Sequence, residues 1–159
     1  PFLSSSDMLL FNPKRFTKQI SKNSNNLTEL LVSEKDILIS RSGTVGNTVI
    51  VGTDLTGVAV SEHALRLVIN KDVIEPEYVF CYLNTKQGKN ILEATAYGSV
   101  IITLNEDYIG NINLPLIDDK VRSKIVLSIN QYLTKMDKAT NNENQAISLV
   151  ENEIALWQS

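Results

Sequence analysis

The feature that most restricts what this chain can fold into is a stripe near its C-terminal end. Val126, Ile129, Leu133, Met136, Thr140, Glu143, Ile147, Val150, Ile154 and Trp157 follow one another at steps of three and four, and all but Thr140 and Glu143 are apolar. Such steps average 3.5 residues, the period that holds one seam of an α-helix against a partner helix in a coiled coil. The pattern predicts a long helix within residues 118–159, and from Val126 to Trp157 it would extend roughly 48 Å. A helix lying along its own domain carries a broader apolar stripe and rarely runs so far. Thr140 and Glu143 fall in the polar stretch Thr140–Gln145, where they either fix a pairing register or let the helix fray. A lone apolar stripe needs a second helix, from another copy or from a further part of a longer chain. The positions expected to pair are Val126, Ile129, Leu133, Met136, Ile147, Val150, Ile154 and Trp157.

Upstream, residues 1–117 read as one α+β domain, β-rich with short helices. Ile37–Ile39 and Thr48–Val51 are apolar, β-branched runs, the signature of two strands, joined by a polar loop containing Gly43 and Gly46. That loop carries the Arg41 guanidinium and the hydroxyls of Ser40, Ser42 and Thr44, a set of donors suited to phosphate oxygens or base edges. An ordinary hydrogen-bonded hairpin turn is the competing reading. Lys14, Arg15 and Lys18 cluster around Phe16, either as a solvated face or as phosphate contacts. Val58–Val60 and Ala64–Asn70 are strand-like. Glu75-Pro76 opens a helix in which Val79, Phe80, Leu83, Gln87 and Ile91 keep helical spacing, so Cys81 and Tyr82 belong in or near the core. Gly88 is the expected point of a bend. Asn105 can cap a short helix to Ile109, and the alternation of Ile112, Leu114 and Leu116 predicts a last strand that Pro115 would confine to an edge.

Several chemistries are excluded. The single Cys81 forbids an internal disulfide and a cysteine-rich zinc site, and a lone His63 leaves too few soft ligands for a transition metal. Ser61, Glu62 and His63 are consecutive, so in an extended chain they point to alternate faces and form no proton relay. There is no phosphate-binding P-loop, no G-x-S-x-G elbow and no amino-methyltransferase motif, while Gly43–Gly46 joins strands and not the helices of a KH loop. Residues 1–71 hold 8 Lys and Arg against 6 Asp and Glu, and residues 72–159 hold 7 against 12. That balance speaks against a non-specific polyanion binder, not against a reader with its cations on one face. With 43% hydrophobic residues, no apolar run near membrane-spanning length and no leader-like opening, the expectation is a soluble, cytoplasmic protein. The start at Pro1 predicts a fragment or a processed chain, N-terminally truncated in its first domain.

DILISRSGTVGN, then Ser61-Glu62-His63-Ala64-Leu65-Arg66, PEYVFCYLNTKQGKNI, AYGSVI and IGNINLPLI, followed by the long helix, resemble in order and spacing the specificity subunit of type I restriction-modification enzymes. The match corresponds to one target recognition domain, residues 1–117, and one spacer helix, residues 118–159. The resemblance implies a non-catalytic subunit or half-subunit that reads one half of a bipartite site on double-stranded DNA. Methyltransferase and restriction subunits would be its partners, carrying S-adenosylmethionine, ATP and Mg, with no cofactor on this chain. It also makes Tyr97 and Ser99 candidate DNA contacts, joining Lys14, Arg15, Lys18, Ser40, Arg41, Ser42, Thr44 and His63. Alternatives are a coiled-coil assembly module that binds protein, and the recognition domain of a fused restriction-methyltransferase.

Overall fold

A computed structural model describes residues 1–14, 18–41, 45–97, 103–104 and 106–157. The fold is α+β. Strands β2 (Ile37–Ser40), β3 (Thr48–Ile50) and β5 (Ala64–Leu67) form an antiparallel sheet in the order β3-β2-β5. Strand β1 (Phe2–Leu3) runs parallel to β4 (Ala59–Val60), and β6 (Ala96–Tyr97) pairs with β7 (Thr103–Leu104). The helices are α1 (Leu27–Leu30), α2 (Pro76–Leu83), α3 (Lys86–Thr95), α4 (Glu106–Gly110) and α5 (Asp119–Trp157).

The expected hairpin of Ile37–Ile39 and Thr48–Val51 is present, and its first strand is the axis of the domain. Every residue of β2 is buried, and successive side chains point to opposite faces of the sheet. Leu38 joins Leu3, Val51, Val60 and Ala64 in one apolar cluster. Ile37 and Ile39 join Val79, Leu83, Leu92 and Leu104 in another. A strand with apolar residues on both faces is stable only in a central position, and β2 is central because β3 and β5 flank it.

Pro76 stands in the first turn of α2, where its missing N–H costs nothing. The helix breaks at Asn84–Thr85, three residues before the expected bend at Gly88. Asn84 turns its amide back onto the Phe80 carbonyl at 2.9 Å and across to Thr48 Oγ1 at 2.5 Å, while Thr85 Oγ1 accepts the Gly88 N–H at 3.0 Å and so caps α3. Gly88 is required for a different reason: a Cβ there would lie 2.2 Å from the Tyr82 carbonyl oxygen. Tyr82 is buried as expected, and Cys81 is half-buried, its thiol pushed up by burial and by Glu77.

The last expected strand, Ile112–Leu116, is not one. Ile112 and Leu114 pack on the second cluster, Leu116 is exposed, and Tyr78 donates its hydroxyl to the Pro115 carbonyl. The alternation is real, but this segment is held by side chains and has no neighbouring strand among the described residues.

Helix α5 begins on an Asp118 cap, whose Oδ1 accepts the N–H of Lys120 at 2.9 Å and of Val121 at 3.4 Å. Its first two thirds lie along the domain. Arg122 meets Glu75 at 3.4 Å, Asn130 accepts from Lys35, and Leu133 is buried beside Gly52. Thr53 donates to Asp137, and Asn12 donates to Glu143 Oε2 at 2.7 Å and Asn144 Oδ1 at 2.8 Å. The two polar interruptions of the stripe are thereby accounted for. Thr140 is buried with its hydroxyl on the Met136 and Asp137 carbonyls, both at 3.1 Å, and Glu143 is held by Asn12. Among the described residues past Asn144 only Ile147 keeps partial cover, and Ser148–Trp157 are exposed.

Lys35 ties three elements together. Its ammonium lies 3.1 Å from Glu77 Oε1 on α2, reaches Asn130 on α5, and springs from the turn that leads into β2. Glu77 is buried. Lys35→Met leaves that carboxylate without its counter-charge and is expected to destabilise the fold by about 3–5 kcal/mol. Urea unfolding followed by circular dichroism measures it; Lys35→Met together with Glu77→Leu is expected to recover most of the loss.

Candidate functional site

Arg41 follows directly on β2, and the fold gathers distant parts of the chain around it. Its N–H donates to the His63 carbonyl at 2.8 Å, extending the β2–β5 ladder by one rung. Its carbonyl accepts the Leu104 N–H at 3.1 Å, which joins β7 to the end of β2. Its Nη1 lies 3.1 Å from Glu106 Oε1 at the start of α4, in an ion pair open to solvent on both sides. The backbone of Arg41 is thus fixed by two strands while its side chain stays at the surface. The pair adds little to stability, and it places the guanidinium beside Glu106 at the surface.

The loop after Arg41 is anchored at its base by Ser40. That residue is buried; its N–H donates to the Asn47 carbonyl at 2.8 Å and its Oγ accepts the Asn47 N–H at 3.0 Å. Gly46 donates its N–H to the Ser40 carbonyl at 3.0 Å with φ +81°, a left-handed conformation that a side chain would strain, and a Cβ there would also meet Leu92 at 3.4 Å. Of the hydroxyls expected at this loop, Ser40 therefore serves the fold. Ser42 and Thr44 lie outside the described residues.

His63 sits in the exposed turn before β5, with Nε2 3.8 Å from Glu62 Oε1 and its carbonyl on Arg41. Ser61 is buried and its Oγ bonds to neither Glu62 nor His63, so these three residues form no relay. Tyr97 pairs with Thr103 in the β6–β7 hairpin, whose other rung, Leu104, is bonded to Arg41. Ser99 and Arg15 lie outside the described residues. Lys18 is exposed and bridges to Phe2 of β1.

Lys14 is engaged elsewhere. Its ammonium donates to the Asp54 carbonyl in the turn that follows β3, next to Thr53 and Asp137. Burial, followed by the nearby Asp137 carboxyl, raises the Asp54 carboxyl above the usual carboxylate range. This polar group belongs to the docking of α5. It lies at the end of the β2–β3 hairpin where Asp36 precedes β2, about 17 Å along the strand from Arg41. One end of the hairpin carries the long helix, and the other carries Arg41, His63 and the β6–β7 hairpin.

Two groups at this end were not singled out from the sequence: Glu106, which meets Arg41, and Leu104, whose N–H fixes it. No local pattern marks either one, because each acts through a contact across more than sixty residues of chain. Among the described residues there is no cluster of His, Cys, Asp and Glu able to hold a metal ion, and no helix long and apolar enough to cross a membrane.

The family model described as type I restriction modification DNA specificity domain matches residues 1–152. A comparison with curated proteins finds no match.

Ser40→Ala removes the acceptor that holds the Asn47 N–H and is expected to cost about 1–3 kcal/mol. Urea unfolding of the variant gives the value, and faster amide exchange at Gly46 and Asn47 than elsewhere in the sheet marks the loop as the part that loosens.

Proposed function

The chain belongs to the family of type I restriction-modification DNA specificity domains, non-catalytic modules for DNA sequence recognition, and from that membership we propose that it reads one half of a bipartite duplex site through the surface around Arg41. The observation that carries this reading is the convergence of Arg41, His63 and the β6–β7 hairpin at the end of the sheet away from the docked helix. A guanidinium on a fixed backbone suits the bidentate contact that reads guanine in the major groove. Ser42, Thr44, Tyr97 and Ser99 flank this end in the chain and are the further contacts of the same reading. Arg15 and Lys18 take phosphates in it, and Lys14, already bonded to Asp54, takes at most a supporting part.

Methylation and cleavage then belong to partner subunits that carry S-adenosylmethionine, ATP and Mg. Residues 1–117 act as the recognition unit and residues 118–159 as the spacer. The docked part of α5 has its stripe occupied by its own domain, which leaves Ile147, Val150, Ile154 and Trp157 for a second helix. That free seam spans about 16 Å. Antiparallel pairing over so short an overlap holds two recognition units apart by the length of two docked helices, and a parallel pair would set them side by side.

Arg41→Ala is expected to weaken binding to the preferred duplex by about 1–3 kcal/mol while leaving binding to unrelated duplexes nearly unchanged. Fluorescence anisotropy on a duplex library measures both; an equal loss on all sequences would make Arg41 a phosphate contact. Ile147→Asp with Ile154→Asp is expected to abolish self-association in sedimentation and to leave the thermal midpoint of the domain in place. If the variant keeps the parent's solution mass and spacing preference, the protruding turns are not the junction.

A further inference from the structure

A cleft lies along the outer edge of β5, where the sheet turns backbone groups outward. In the β2 ladders the odd-numbered residues bond to β5, as Arg41 does to His63, and the even-numbered residues bond to β3, as Ser40 does to Asn47. On β5 the inward groups are therefore those of residues 63, 65 and 67. The N–H and C=O of Arg66 and the C=O of Ala64 face away from the sheet. Beside this edge lies the cleft, of about 610 Å3, lined also by Glu29 and Leu30 of α1 and by Glu106 and Ile109 of α4. An open edge is the arrangement in which an extended peptide adds to a sheet by main-chain hydrogen bonds.

The chemistry of the lining selects the occupant. Glu29, Glu62 and Glu106 line the cleft together with Arg41 and Arg66. Both guanidiniums are committed, Arg41 to Glu106 at 3.1 Å and Arg66 to the Leu31 carbonyl at 2.5 Å. The carboxylates of Glu29 and Glu62 would repel a phosphate backbone and attract cationic side chains. Ser61 also lines the cleft; it is 7% exposed, and its buried Oγ has no hydrogen-bond partner. A second copy of the chain fits poorly. Antiparallel self-pairing of this edge about Arg66 places the two guanidiniums opposite each other, a destabilising pair.

We propose that the β5 edge is a docking site for an extended strand of a partner protein that pairs with the outward backbone of Arg66 and Ala64, carries an uncharged residue opposite Arg66, and sets lysine or arginine side chains against Glu29 and Glu62. The cleft shares Arg41 and Glu106 with the surface of the DNA reading, but the peptide contact itself runs through the backbone of Arg66 and Ala64 and does not rest on that reading.

The probe is a short peptide of alternating lysine and valine, blocked at both ends, with three counterparts: glutamate in place of lysine, every backbone amide nitrogen methylated, and a random duplex. Binding of the lysine peptide is expected to slow amide exchange at Arg66, read by NMR on the whole chain. The glutamate peptide is expected to bind about tenfold more weakly, and the methylated peptide, which can offer no donors to the edge, not at all. Arg66→Pro removes only an outward N–H, which an edge strand tolerates, and should weaken binding by about tenfold relative to Arg66→Ala, the worth of one hydrogen bond. Equal binding of lysine and glutamate peptides, equal binding of the methylated peptide, or a folded Arg66→Pro chain that binds as Arg66→Ala does would each overturn the proposal. So would protection of the Arg66 amide by the duplex, or by self-association at high concentration without peptide. If Arg66→Pro fails to fold, the methylated peptide alone decides.

Discussion

Burial of β2 on both of its faces is the constraint from which the rest of the domain follows. Leu38 on one side and Ile37 with Ile39 on the other leave no surface of the strand for water, so each face must be covered by a separate apolar cluster. Its backbone groups are equally committed, alternately to β3 and β5. A strand bound on four sides is rigid, and rigidity at its end is what gives Arg41 a fixed backbone. A guanidinium on a mobile loop would spend binding free energy on being ordered, whereas here that ordering is complete before any partner arrives.

The same strand explains why the molecule has two unlike ends. Asp36 and Lys35 lie just before β2, and the turn after β3 lies beside them, so the middle of α5 is gripped there: Lys35 with Asn130, Gly52 with Leu133, Thr53 with Asp137. At the opposite end β2 runs into Arg41. The last turns of the helix leave Val150, Ile154 and Trp157 exposed as apolar surface.

Charge follows the same division. Chain halves of opposite sign do not become faces of opposite sign, because Lys14 and Lys35 from the more basic half are spent at the helix junction, while Glu29 and Glu62 from that same half border the β5 edge. Arg41 is flanked by Glu106, which the local sequence places in an unremarkable acidic helix start. A cation beside a carboxylate is selective in what it accepts: a ligand must offer enough to replace or include the existing pair.

The sequence by itself determined the elements whose cause is local. The β-branched runs on either side of the Arg41 loop, Pro76 at a helix start, the Asp118 region as the beginning of a long helix and the step of the apolar stripe are all set by neighbours within a few residues. The fold class followed from them, and so did the resemblance carried by their order. What local pattern could not supply was what each surface meets. The stripe from Val126 to Trp157 has one period throughout, yet tertiary structure places Leu133 and Thr140 against the domain and leaves Val150 and Ile154 in solvent, because period fixes which residues share a face and not what covers it. Ile112–Leu116 alternates like a strand but is none, since a strand requires a partner and alternation does not provide one. The meeting of Arg41, His63 and Glu106 was invisible for the same reason. It depends on the register in which β5 and β7 come to lie beside β2, a choice made by the packing of the whole core.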